Sequence, residues 1–194
     1  MQSCSAKSAM KKLRMDVVRS CDDHNLHGGL SSFKLLLVVD FWPVLYFRLI
    51  EHCRENKGFF RRLIRLLLLP FKPIVDGFSG ARIYADSIIG GGLLLHQSSG
   101  VVIAPGVVLG ENCTFFSGAC VVYKANDKGN ASPRIGNNVK LMVGCKIIGD
   151  VIIGDNVSVG ANAVVIKSIP ENCIAVGIPA RWADQAPIIS NGNV

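Results

Sequence analysis

The chain is predicted to be mainly β, a parallel β-helix preceded by a small N-terminal α-helical segment, and three features of the sequence predict it. An aliphatic residue or phenylalanine returns every six positions through the second half: Ile83, Ile89, Leu95, Ile103, Leu109, Phe115 and Val121, then Ile135, Leu141, Ile147, Ile153, Val159 and Val165. The fourth residue after each marker is mostly small or apolar, as at Leu93, Val107, Cys113, Ala119, Cys145 and Ala163, with Ser87 and Ser99 in the same register. The residues between are polar, among them Glu111, Asn112, Asn137, Asn138, Asp155 and Asn156. A period of six fits neither the 3.6 of a helix nor the two of an alternating strand, so it belongs to a repeated coil whose short strands send side chains into a narrow prism. A β-sandwich is the poorer fit, because its turns recur at roughly 8–12 residues. Glycine follows the marker at Gly90, Gly110, Gly136, Gly154 and Gly160, where the tight corner is expected to require positive φ.

Taken in order, residues 1–76 form a basic helical segment, 77–170 the β-helix with a projecting loop at 123–134, and 171–194 a cap and tail. Residues 1–30 read as a polar lead or one short helix. A helix is expected from about Ser32 to Glu55, broken or bent at Pro43, and a second from Gly58 to Leu69, ended by Pro70. The first 76 residues carry 13 Lys and Arg against 7 Asp and Glu, so +6 of the net +7 lies there.

Composition narrows the function classes. No apolar stretch is long enough to cross a bilayer, because Leu35–Phe47 is interrupted by Asp40 and Pro43. Lys11, Lys12 and Arg14 are followed by no apolar run, so no secretory signal is expected and the chain is assigned to the cytoplasm. Seven cysteines without paired metal-type spacing fit a reducing compartment and no disulfide framework. Nucleic acid is not an expected partner, since the basic residues are interleaved with aliphatic runs and no binding motif is present. Arg61, Arg62 and Arg65 beside Phe59, Phe60, Leu63, Ile64 and Leu66–Leu69 suit either a peripheral contact with the inner face of the membrane or packing on a helix or a neighbouring subunit.

Two irregularities interrupt the repeat, and loops at such places carry side chains freed from packing. The step from Leu95 to Ile103 is eight residues and contains His96, Gln97, Ser98, Ser99 and Gly100; the insertion from Tyr123 to Arg134 contains Lys124, Asp127, Lys128 and Asn130. His96 is the single histidine of the repeat region. A neutral imidazole beside an acceptor hydroxyl can take its proton during attack on a thioester, and His96 is the candidate general base. One histidine does not suffice for a zinc site on this scaffold, and no metal is expected.

The segment Ile89-Gly90-Gly91-Gly92-Leu93-Leu94-Leu95-His96-Gln97-Ser98-Ser99-Gly100-Val101-Val102-Ile103 and the ending Gly177-Ile178-Pro179-Ala180-Arg181 resemble the hexapeptide-repeat acyltransferases, in the branch of serine acetyltransferases and polysaccharide O-acetyltransferases. The resemblance covers about residues 80–182. It implies a left-handed hand for the β-helix, acetyl-CoA as acyl donor, and a homotrimer with sites between adjacent prisms. It also implies coenzyme A contacts along the later coils, for which Gly144, Gly160, Ala161, Lys167 and Arg181 are the candidates. Gln97, Ser98, Lys124 and Asp127 are the acceptor-binding candidates.

Two departures bear on the acceptor. Counted back from Val101-Val102-Ile103, the family's catalytic histidine falls on Gln97, and His96 takes the preceding position. Ala131-Ser132-Pro133-Arg134 stands where serine acetyltransferases have Asp-Arg-His-Pro. On these grounds the expected acceptor is a sugar hydroxyl of a polysaccharide or its precursor, with free serine as the alternative and a non-catalytic scaffold as a third reading.

Overall fold

Every marker of the six-residue repeat is buried, from 0% exposure at Ile89 and Phe115 to 6% at Ile83. This holds in a computed structural model that describes residues 9–24, 37–55, 59–126 and 129–184. The markers stack because the strands of successive coils pair in parallel and in register, building three sheets around one apolar core. The first sheet holds β1 (Arg82–Ile83), β4 (Val102–Ile103), β7 (Cys120–Val122), β12 (Lys146–Ile148) and β15 (Val164–Val165). The second holds β2 (Ile88–Ile89), β5 (Val108–Leu109), β10 (Arg134–Ile135) and β13 (Ile152–Ile153). The third holds β3 (Leu94–His96), β6 (Thr114–Phe116), β11 (Lys140–Leu141), β14 (Ser158–Val159) and β16 (Cys173–Val176). β17 (Arg181–Asp184) runs antiparallel to β16 and covers that edge. Parallel pairing of β14 with β16 carries the solenoid to residue 176, beyond the expected end at 170.

The corners work differently from the expectation. Gly90, Gly110, Gly136, Gly154 and Gly160 do not have positive φ. Their constraint is the close approach of the next coil: a Cβ on Gly110 would lie 2.5 Å from the Gly136 carbonyl oxygen, and one on Gly90 2.4 Å from that of Gly110. Positive φ falls instead three residues after the marker, on Asn112, Asn138, Asn156 and Asn162, as also on Asn172, at 55–58°, and on Gly92, Gly106, Gly118 and Gly144 at 70–78°. Asparagine enters the left-handed region more readily than other side chains. Here it also forms a ladder, the Asn138 amide donating to Asn156 at 3.0 Å and that of Asn156 to Asn172 at 2.9 Å. Replacing Gly110 with Ala is therefore expected to destabilise the fold by about 1–3 kcal/mol, as overpacking does, read as a lower thermal midpoint.

In the irregular coil the two extra residues change the inward register. Ser98 is fully buried and Ser99, expected inward, is exposed. The insertion folds as a hairpin of β8 (Lys124–Asn126) and β9 (Gly129–Ala131) at the edge between the first and second sheets.

Among the described residues four α-helices precede the solenoid: α1 (Ala9–Asp23), α2 (Trp42–Glu55), α3 (Phe59–Leu68) and α4 (Lys72–Ser79). Pro43 does not bend a longer helix. It sits in the first turn of α2, where its missing N–H has no intrahelical partner to lose. The part of the expected helix at 32–36 lies outside the described residues. After Pro70 the chain makes a 3-10 turn, Leu69–Phe71, and continues as α4, which sequence reading did not foresee. Gly80, at φ 69°, ends α4 in the left-handed conformation and turns the chain into β1.

The helices are joined to the first coil by charge. The Arg48 side chain of α2 is 1% exposed and the Asp16 side chain of α1 0%. Arg48 Nε donates to Asp16 Oδ2 at 2.7 Å, and Nη1 donates to Glu51 at 2.8 Å and to the Ile89 carbonyl at 3.0 Å. The Gly90 carbonyl takes another hydrogen bond from Arg48. Asp16 accepts the Leu93 N–H at 2.8 Å. Burial pushes the Asp16 carboxyl above its usual range against the opposing pull of Arg48. Every N–H of the Arg48 guanidinium has a partner, so the buried charges are met by a complete hydrogen-bond set.

Candidate active site

The third sheet presents two outward rows where α1 crosses it, Leu94, Thr114 and Lys140 in one and His96 and Phe116 in the next. α1 is pinned there by Arg19, which donates to the carbonyls of Gly92 and Cys113 and, at 2.7 Å, to the Thr114 hydroxyl. This anchorage carries the C-terminal end of α1 over His96. His96 Nε2 lies 3.1 Å from Asp23 Oδ1. Its ring stacks on Phe116, with centroids 4.8 Å apart and planes 12° apart, as the pairing of β3 with β6 brings them into register. A carboxylate at Nε2 favours the tautomer with the proton on that nitrogen and leaves the Nδ1 lone pair to receive another.

The pair lines an open cleft of about 550 Å³, together with Arg19, Asp22, Leu94, Thr114, Phe116, Lys140 and Met142. That is the size of small-molecule sites. Positive and negative groups both reach it, around an aromatic floor.

The other sequence-derived candidates are spread over the prism. Gln97 is exposed with φ 51°, and its backbone N–H donates to Asp40 at 3.2 Å. Ser98 is drawn inward: its N–H donates to Asp40 at 2.7 Å and its hydroxyl to the Ser79 carbonyl at 2.8 Å. Its hydroxyl is thus occupied in joining the irregular turn to α4, which leaves it a packing role in place of the acceptor contact expected of it. Lys124 is on the hairpin at another edge, beside Gly149, and Asp127 lies outside the described residues. Gly144, Gly160 and Ala161 share the corner between the third and first sheets. Lys167 follows β15 at the next corner, and Arg181 is exposed on β17. One chain therefore does not gather these five into a single pocket. Among the described residues no group of three or more His, Cys, Asp or Glu could hold a metal ion.

Sequence reading missed Arg19, Asp22 and Asp23 as site residues. A signal was present: Lys12, Asp16, Arg19 and Asp23 recur at steps of three and four, which puts them along one side of a helix. That side is turned to the solenoid, so α1 docks through a charged stripe where an apolar one is the usual guide.

Residues 132–167 match the bacterial transferase hexapeptide family (six repeats). A serine acetyltransferase of Staphylococcus epidermidis is 37% identical over 108 residues, which are 56% of this chain and 51% of that protein. The chain thus spans about half the length of such curated relatives. Among solved structures, serine acetyltransferase of Neisseria gonorrhoeae in complex with serine superposes with TM-score 0.71 at 22% identity, over 92% of this chain and 70% of that one. A serine acetyltransferase in complex with CoA gives TM-score 0.70 at 20% identity, over 92% and 71%. Residues 132–167 thus carry a hexapeptide repeat of the bacterial transferase type, and the chain is similar in sequence to serine acetyltransferases over about half of their length and shares their fold.

Proposed function

We propose that the chain is an acetyl-CoA-dependent O-acetyltransferase with His96 as general base and a small amino acid of the serine kind as acceptor. The observation that carries this reading is the His96–Asp23 pair, 3.1 Å apart, at a cleft of about 550 Å³. His96 Nδ1 takes the acceptor hydroxyl's proton as the oxygen attacks the thioester carbonyl. Collapse of the tetrahedral intermediate breaks the carbon–sulfur bond, and the leaving thiolate takes the proton back from the imidazolium. Asp23 balances the positive charge that His96 carries between those two transfers. Lys140 and Asp22 offer opposite charges to the carboxylate and ammonium of a zwitterionic acceptor.

Gly144, Gly160 and Ala161, with Lys167 and Arg181, are the proposed contacts for coenzyme A, the small residues for the pantetheine arm and the basic ones for phosphate. Lys167 and the Lys124 hairpin lie on other edges than His96, and Gly144, Gly160 and Ala161 stand on later coils of the edge that follows it, an arrangement that suits the homotrimer implied by the family, in which a second prism completes each cleft.

A sugar hydroxyl is the second reading, and two departures from the serine enzymes favour it. Gln97 occupies the position of the family's catalytic histidine, and Ala131-Ser132-Pro133-Arg134 replaces the Asp-Arg-His-Pro sequence of the serine enzymes. An assay of thiol release from acetyl-CoA separates the two, with serine, nucleotide sugars and oligosaccharides offered in turn. Serine-dependent release is the expected result. Release with sugars alone would move the acceptor to the second reading, and no calorimetric binding of coenzyme A would overturn both in favour of a scaffold.

A further inference from the structure

α3 turns apolar side chains to the outside. Leu63, Ile64, Leu66 and Leu67 are 45–64% exposed, the reverse of a helix that buries its apolar stripe in the core. The helix is nonetheless anchored, because the Tyr46 hydroxyl of α2 donates to the Leu68 carbonyl at 3.1 Å. At the helical repeat these four positions cluster on one side of α3, and Arg61, Arg62 and Arg65 fall on the other. No acidic residue occurs in α3, and the segment containing it carries most of the chain's positive charge.

A helix of ten residues is too short to cross a bilayer, and no helix among the described residues is long and apolar enough to do so. It is suited to lying in the plane of the interface, apolar side among the acyl chains and basic side at the head groups. We propose that α3 attaches this protein to an anionic membrane surface. Charge complementarity commits this face to an anionic lipid surface: α3 carries three arginines and no acid, and a second copy would bring the same positive charge and no counter-charge. Among the described residues none of α3 lines the cleft beneath α1, so the proposal stands apart from the acetyl-transfer reading.

The test is co-sedimentation of the full chain with vesicles of phosphatidylcholine alone and of phosphatidylcholine with phosphatidylglycerol, at low and high salt. Wild-type protein is expected on the anionic vesicles only and to be released by salt. The double variant Leu66→Glu/Leu67→Glu alters exposed positions and is expected to lose about tenfold or more of that binding, with an unchanged circular dichroism spectrum. If it does not fold, Arg61→Gln/Arg62→Gln/Arg65→Gln serves in its place and should lose the preference for anionic lipid. Absence of wild-type binding to anionic vesicles, or equal binding to neutral ones, overturns the proposal. So does a variant that binds as wild type. Loss of an oligomer in sedimentation velocity, without vesicle binding by either protein, would assign the face to a contact between copies.

Discussion

Replacing His96 with alanine is expected to lower acetyl transfer by about 10²–10⁴-fold, the usual contribution of a positioned general base. The ring is fixed from two directions, by Asp23 at 3.1 Å and by stacking on Phe116 at 4.8 Å, so its removal takes away a held group. Because His96 is outward and partly exposed, the alanine variant should keep its fold, and circular dichroism would establish that. Asp23 acts through His96 as a positioning residue. Asp23→Asn keeps the shape but removes the charge, and should reduce kcat on the order of tenfold with the acceptor KM little changed. Asp23→Glu should restore part of the loss. Unchanged turnover in the alanine variant would remove His96 from the chemistry and leave the cleft as a binding surface.

Arg48→Ala is expected to destabilise the protein by about 3–5 kcal/mol, because it leaves the wholly buried Asp16 without its partner. The carbonyls of Ile89 and Gly90 would also lose their donor, at the point where the helices meet the first coil. Urea unfolding reads this as a lower midpoint. In Asp16→Leu/Arg48→Met the unpaired charge disappears, and part of the loss should be recovered. The recovery is expected to be incomplete, since the Leu93 N–H and both carbonyls still lack partners. A single variant within about 1 kcal/mol of wild type would mean that water takes the place of the arginine.

The solenoid was legible because burial imposes a strict local pattern. Each of the thirteen markers had to be apolar to face the prism, and all are buried. The corner chemistry was half legible: Gly90, Gly110, Gly136, Gly154 and Gly160 were expected to supply positive φ, but they serve close packing, and the left-handed φ falls two residues on, at Gly92, Asn112, Asn138, Asn156 and Asn162. A single coil does not show that a neighbouring carbonyl will pass within contact of Gly110. His96 stood out because the repeat lengthened around it, and the same irregularity hid that Ser98 and not Ser99 would turn inward. Asp23 was invisible as a partner of His96, being 73 positions away on a helix whose docking side carries charge.

The sequence by itself determined the coil, its period, and the histidine placed at its eight-residue step. Those depend on the repeating demand of one buried row, which each hexad carries within itself. Only the tertiary structure decided that Asp23 meets His96, that Lys124 leaves by another edge, and that the apolar side of α3 faces outward. These depend on how separate elements dock, and docking is governed by pairs such as Asp16 with Arg48 and Arg19 with Thr114, whose members are distant in the chain and carry no shared period.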